Sequence, residues 1–154
     1  MSSTSTERYF EDYPPGAVFE FGEIAVTAEE IVAFATRYDP QPMHTDPAAA
    51  ASGAFGGLIA SGWHTAALAM RLLTEHFLSA ASSIASPGID ELRWVRPVRP
   101  GDRLSLRVTV VEANRSRTRP DRGMIRGLVE VLNQNGEVAM SFRPMNLVRC
   151  RPGR

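Results

Sequence analysis

At 154 residues, 44% hydrophobic and 22% charged, the chain has the length and balance of one soluble globular domain. Its formal net charge is zero, which argues against a dedicated nucleic-acid or anionic-membrane partner. All 17 basic residues are arginine, so lysine Schiff-base and P-loop lysine chemistry are excluded, and a phosphate can be met only by arginine, hydroxyl or backbone groups.

Residues 1–8 open on a polar run, Met1-Ser2-Ser3-Thr4-Ser5-Thr6, without the apolar core of a signal peptide, and read as a disordered tag. No apolar run is long enough to cross a membrane, so a cytoplasmic protein is expected. Pro14-Pro15-Gly16 punctuates the start of a single domain over residues 9–149, and Val18 to Val26 reads as its first strand. Thr27-Ala28-Glu29-Glu30 is a capping box that starts a helix running to about Arg37. The next segment, Asp39-Pro40-Gln41-Pro42-Met43-His44, carries two prolines and is expected to stay out of helix, with Asp39 and Gln41 extended. Asp46-Pro47 followed by four alanines predicts a short helix with Asp46 at its N-cap, a structural role that accounts for Asp46 fully. Gly53, Gly56 and Gly57 then predict a tight loop.

The longest helix is predicted from Gly62 to about Leu78. Trp63, Ala66, Ala67, Met70, Leu73 and Phe77 form its apolar face, and His64, Arg71 and Glu75 a narrow polar stripe. Such a helix is buried, and in a domain this small a sheet must wrap it. Four strands follow: Ile89–Val98, then Leu104 to Val110 with clean alternation, Met124–Leu132, and Val138 toward Val148 after the Asn135-Gly136 hairpin signal. Residues 150–154 form a frayed basic tail. The fold class is α+β, an antiparallel sheet around one long central helix.

The chemistry gathers in one short window. Asp39 and His44 are the minimum equipment for moving a proton to or from water. Ser61-Gly62 opens the central helix, whose free N–H groups and positive dipole end suit an oxyanion. His64 and His76 read as solvent-facing or interface residues. A metal site from His44, His64 and Cys150 lacks ligand spacing, and with one cysteine there is no disulfide or Cys-rich zinc site, so no metal is expected. Trp63 and Trp94 read as core or dimer-interface packing. Arg115, Arg117, Arg119 and Arg122 read as a solvated hairpin end, with coenzyme A phosphate binding as the sharper alternative.

The motif Asp39-x-Gln41-Pro42-x-His44-x-Asp46, with Phe55-Gly56-x-x-Ile59-Ala60-Ser61-Gly62 and Arg96-Pro97-Val98-Arg99-Pro100-Gly101-Asp102, resembles the MaoC-like family of (R)-specific enoyl-CoA hydratases and dehydratases, which have the hotdog fold. The resemblance covers roughly residues 10 to 148. It implies reversible hydration of a trans-2-enoyl-CoA to an (R)-3-hydroxyacyl-CoA, with Asp39 and His44 catalytic and the Gly62 backbone N–H on the thioester oxygen. Gln41 and Ser61 orient the substrate in this reading. Gln41 stands where the family more often has asparagine, and Ser61 where a histidine commonly precedes the glycine. No cofactor is needed, since coenzyme A is part of the substrate, and an edge-to-edge homodimer is implied. Two rivals remain open on the sequence: an acyl-CoA thioesterase on the same scaffold, and a non-catalytic acyl-thioester-binding protein.

Overall fold

The computed structural model describes residues 7–153. Most of the expected N-terminal tag, residues 1–6, lies outside the described residues. The strands are β1 (Val18–Ala25), β2 (Ser83–Trp94), β3 (Arg103–Arg115), β4 (Arg122–Leu132) and β5 (Val138–Arg149). They form one antiparallel sheet in the order β1-β3-β4-β5-β2. The helices are α1 (Ala28–Tyr38), α2 (Pro42–Thr45), α3 (Pro47–Ala51) and α4 (Gly62–His76). The sheet wraps α4, which is the hotdog arrangement.

The alternation expected in β3 is the inward face of the sheet: Leu104, Leu106, Val108 and Val110 are each 1% exposed. Val129, Val131 and Met140 continue that face across β4 and β5. Against it α4 lays Thr65, Ala69, Leu72 and Leu73. An aromatic group of Tyr13, Phe19 and Phe77 closes the far end of the helix, and the Tyr13 hydroxyl donates to the Phe77 carbonyl at 2.7 Å. Burial pushes the Tyr13 phenol up to about 12.

Four local expectations need correction. The prolines do not keep all of the Asp39–His44 segment out of helix. Pro42 takes the first position of α2, where a missing N–H costs nothing, and His44 rides in that single turn. Gln41 does remain extended, as the N-cap of α2, whereas Asp39, the C-cap of α1, turns out of the extended region at φ -152° and ψ 66°. Strand β2 begins at Ser83 rather than Ile89 and ends at Trp94 rather than Val98. The serine- and alanine-rich run before Ile89 hid the early start, and Pro87 is tolerated because β2 is an edge strand. Beyond Trp94 the chain leaves the ladder, with Val95 and Arg96 both donating to the Ala139 carbonyl.

The helix faces are also turned from expectation. Trp63 and Met70 are 58% and 47% exposed, whereas His64 is 5% exposed and stacks on Phe34 at 4.9 Å. His64 Nδ1 is buried without a partner among the described residues. Desolvation outweighs the charge of Glu30 and lowers its pKa. Periodicity located an apolar helix but could not say which of two apolar faces the sheet takes. Finally, the expected frayed tail is tied down at Arg151, which pairs with Asp12 and whose N–H meets the Glu11 carboxylate.

Candidate active site

Asp39 and His44 approach each other because α1 ends just before one and α2 carries the other, with only Asp39-Pro40-Gln41 between the helices. His44 is 4% exposed, and its Nδ1 lies 2.7 Å from the Ile59 carbonyl oxygen. A carbonyl can only accept, so Nδ1 carries a proton, and in the neutral imidazole Nε2 presents its lone pair. Nε2 faces Asp39 Oδ2 at 3.4 Å. Two acceptors in that position call for a shared donor. A water giving one O–H to each would turn its own lone pairs into the adjoining space, where it is an oriented nucleophile.

The Asp39 carboxylate is itself held from two sides. Gln41 Nε2 donates to Oδ1 at 2.6 Å, and Ser61 Oγ donates to Oδ2 at 2.7 Å. These two bonds, Gln41 first, hold the Asp39 carboxyl below the usual carboxylate range; partial burial opposes them, and His44 when protonated adds to them. Gln41 and Ser61 therefore act on Asp39. Ser61 is fully buried, and its oxygen also accepts from the Trp63 N–H at 3.3 Å as the N-cap of α4. One hydroxyl thus links helix start and carboxylate.

Gly62 is the first residue of α4, and with His44 it lines a cavity of about 420 Å³. Ser61 Oγ touches Asp39, and one peptide unit separates Ser61 from the Gly62 nitrogen, so that nitrogen is within about 7 Å of the carboxylate. The remaining walls are mainly apolar, from Met43, Phe55, Ile59, Val98 and Ala139. That suits an apolar ligand with one polar reacting end. Trp94 also lines this space and stacks edge-on to Trp63 with centroids 5.1 Å apart. A Cβ on Gly62 would lie 2.3 Å from Trp94 Cε2, so any other residue there must displace the indole ring.

Two features of this geometry have no signature in the sequence. The Ile59 carbonyl that sets the His44 tautomer is a backbone group. The Trp94 ring reaches Gly62 only through the pairing of β2 with β5.

Other candidates are not brought to the site. Arg115 bonds the Pro120 carbonyl and Arg122 pairs with Asp121 at the β3–β4 tip. The cavity is at the opposite end of those strands, beside Ala139, so the tip is roughly 25–30 Å away along the sheet. Cys150 is at that tip end too, where its N–H meets the Asp121 carbonyl, far from His44. Among the described residues no three His, Cys, Asp or Glu side chains cluster as metal ligands, and no helix is long and apolar enough to cross a membrane.

Comparison with known proteins decides the family. The model of the MaoC like domain matches residues 11–131. The chain belongs to the MaoC-like dehydratase family. A MaoC-like dehydratase from Rhodospirillum rubrum is 43% identical and superposes with a TM-score of 0.88, over 95% of this chain and 99% of that one. The uncharacterized protein YdeM of Bacillus subtilis is 32% identical over 80% of this chain and 86% of its own length. The (R)-hydratase of A. caviae, involved in PHA biosynthesis, is 27% identical with a TM-score of 0.69, over 90% of this chain and 97% of its own. Members of the MaoC-like family include hydro-lyases acting on hydroxyacyl thioesters.

Proposed function

We propose that the protein catalyses reversible hydration of a trans-2-enoyl-CoA to an (R)-3-hydroxyacyl-CoA. The observation that carries this reading is the meeting of Asp39 Oδ2 with Ser61 Oγ and His44 Nε2, beside Gly62 and the mouth of a mainly apolar cavity. Family membership and the (R)-hydratase relative support it.

The thioester oxygen accepts from the Gly62 N–H at the positive end of α4, and the acyl group lies in the cavity. Asp39 and His44 hold one water against the β-carbon. As its oxygen bonds to that carbon, His44 Nε2 takes a water proton, and the electron pair of the double bond moves toward the thioester oxygen. The same proton then passes to the α-carbon on the same face, so charge and protons balance. The proton is assigned to His44 because an imidazole is ordinarily a stronger base than a carboxylate, which leaves Asp39 as a fixed counter-charge for the imidazolium.

The deciding experiment follows loss of enoyl absorbance with short, medium and branched enoyl-CoAs, with product analysis. A 3-hydroxyacyl-CoA product supports the reading. Release of free coenzyme A thiol would make the thioesterase rival correct, and tight binding without turnover the acyl-binding rival.

Ser61→Ala removes both a helix cap and a donor to Asp39. The cap costs about 0.5–2 kcal/mol of stability. Loss of the donor raises the Asp39 pKa toward its ordinary value, so the carboxyl titrates at higher pH in an NMR pH series. The linkage has the same sign. Asp39 is depressed in the fold, so its contribution to stability is present above the ordinary carboxylate pKa and is lost as pH falls through the lowered one. An Asp39 titration unmoved in Ser61→Ala would show that this hydroxyl does not tune the carboxylate.

We also propose that the protein works as a homodimer. Strand β2 is a free sheet edge, and Ile89, Trp94, Trp63 and Met70 on and beside it are each about half exposed. Pairing two β2 edges would cover this apolar strip and continue the sheet. Light scattering at micromolar concentration should give twice the 16.9 kDa chain mass, and a monomer there would overturn the proposal.

A further inference from the structure

Beside the cavity, bonded to the backbone of its lining residue Phe55, stands an arginine that the hydration chemistry leaves unused. Phe55 lines the cavity and is 45% exposed, so it marks the rim. Arg99 reaches that rim from the turn between β2 and β3. Its neighbour Val98 is buried in the cavity wall, where the Val98 carbonyl accepts from the Ala60 N–H at 2.8 Å. Arg99 Nη2 donates to the Phe55 carbonyl at 2.7 Å, which fixes the guanidinium plane. Nη1 lies against the bare backbone of Gly57, where an added Cβ would stand 3.4 Å away.

The rest of that guanidinium has no protein acceptor among the described residues. Asp102 is the nearest carboxylate in sequence, but its oxygens are engaged by the Arg99 backbone N–H and by Gln134 Nε2. Arg96 also lines the cavity, yet its charge is answered by Glu137 at 2.9 Å. Arg99 is therefore a cation beside Phe55 with charge and donors to spare, held in place by a bond that does not neutralise it. A planar fork with open N–H groups matches a phosphate.

We propose that Arg99 recognises a phosphate of the thioester carrier, at the end of the arm that leaves the cavity past Phe55. This rests on the hydratase reading, in which a thioester at Gly62 keeps its acyl group in the cavity and sends its pantetheine arm outward past the rim. It also moves phosphate recognition away from the Arg115–Arg122 tip, which faces the other end of the sheet. The phosphate next to pantetheine is common to coenzyme A and to a phosphopantetheinylated carrier protein, whereas the nucleotide phosphates belong to coenzyme A alone.

The test uses the full chain, wild type and Arg99→Gln, with one enoyl group on three carriers: pantetheine, 4′-phosphopantetheine and coenzyme A. The readout is the ratio of kcat/KM on each phosphorylated carrier to that on pantetheine. Arg99→Gln should lower this ratio roughly 10- to 100-fold, mostly through KM, since one charge-assisted phosphate contact is removed. A fall on both phosphorylated carriers assigns the phosphate beside pantetheine, and a fall on coenzyme A alone assigns a nucleotide phosphate. An unchanged ratio, including a uniform fall on all three carriers, would mean that Arg99 only pins the Phe55 loop, and would overturn the proposal. Isothermal titration of coenzyme A into both proteins is read separately. If no thioester is hydrated, the hydratase reading fails, while weaker coenzyme A binding by Arg99→Gln still supports the phosphate site and equal binding overturns it.

Discussion

Asp39→Asn and His44→Ala should each lower kcat by roughly 10²–10⁴ while leaving the fold intact. The reason differs between them. The amide introduced by Asp39→Asn would keep a carbonyl oxygen for Ser61 or Gln41 but lose the negative charge that answers a protonated His44. His44→Ala removes the proton carrier and leaves the Ile59 carbonyl without its donor, so a modest stability loss of about 0.5–1.5 kcal/mol accompanies the kinetic one. Because both side chains act on one water, the double variant should be little worse than the poorer single. Steady-state kinetics with a thermal melt on each protein checks this, and near-normal turnover in Asp39→Asn would remove the proposed mechanism.

Gly62→Val should be the second severe change. The Cβ would enter space held by Trp94, and the branched side chain would intrude further into the cavity. Displacing the helix start tilts the N–H proposed to meet the thioester oxygen, and loss of one such donor typically costs about 10²–10³ in kcat. Trp94 is half exposed and can swing outward, so the stability cost should stay near the ordinary overpacking range of about 1–3 kcal/mol. Activity should thus fall well beyond what the melting temperature explains. A folded Gly62→Val protein with wild-type turnover would mean that the Gly62 N–H is not part of the chemistry.

Much of this was legible in the chain because it depends on local physics. The alternation of Leu104 to Val110 requires one buried face, and the face is where expected. Thr27 and Asp46 cap helices because their side chains accept N–H groups two and three residues on, which needs no tertiary contact. Ser61 was readable as a cap for the same reason. Its second bond, to Asp39 across 22 positions of chain, was not. Nor was the burial of His64, since a stripe of period 3.6 gives a helix two comparable apolar sides when small alanines separate them.

Element types, the family motif and the pair of titratable groups follow from the chain alone, because spacing, caps and prolines act within a few residues. How that pair is tuned, and what surrounds it, depends on tertiary placement. The Ile59 carbonyl sets the His44 tautomer, Ser61 and Gln41 lower the Asp39 pKa, Trp94 covers Gly62, and Arg99 rather than a β3–β4 arginine bonds the cavity-lining Phe55. Apart from the Gln41–Asp39 bond, these contacts join residues far apart in the chain or run through backbone atoms that every residue shares. Their existence depends on where the sheet and α4 place their ends, and no local pattern of side chains encodes that.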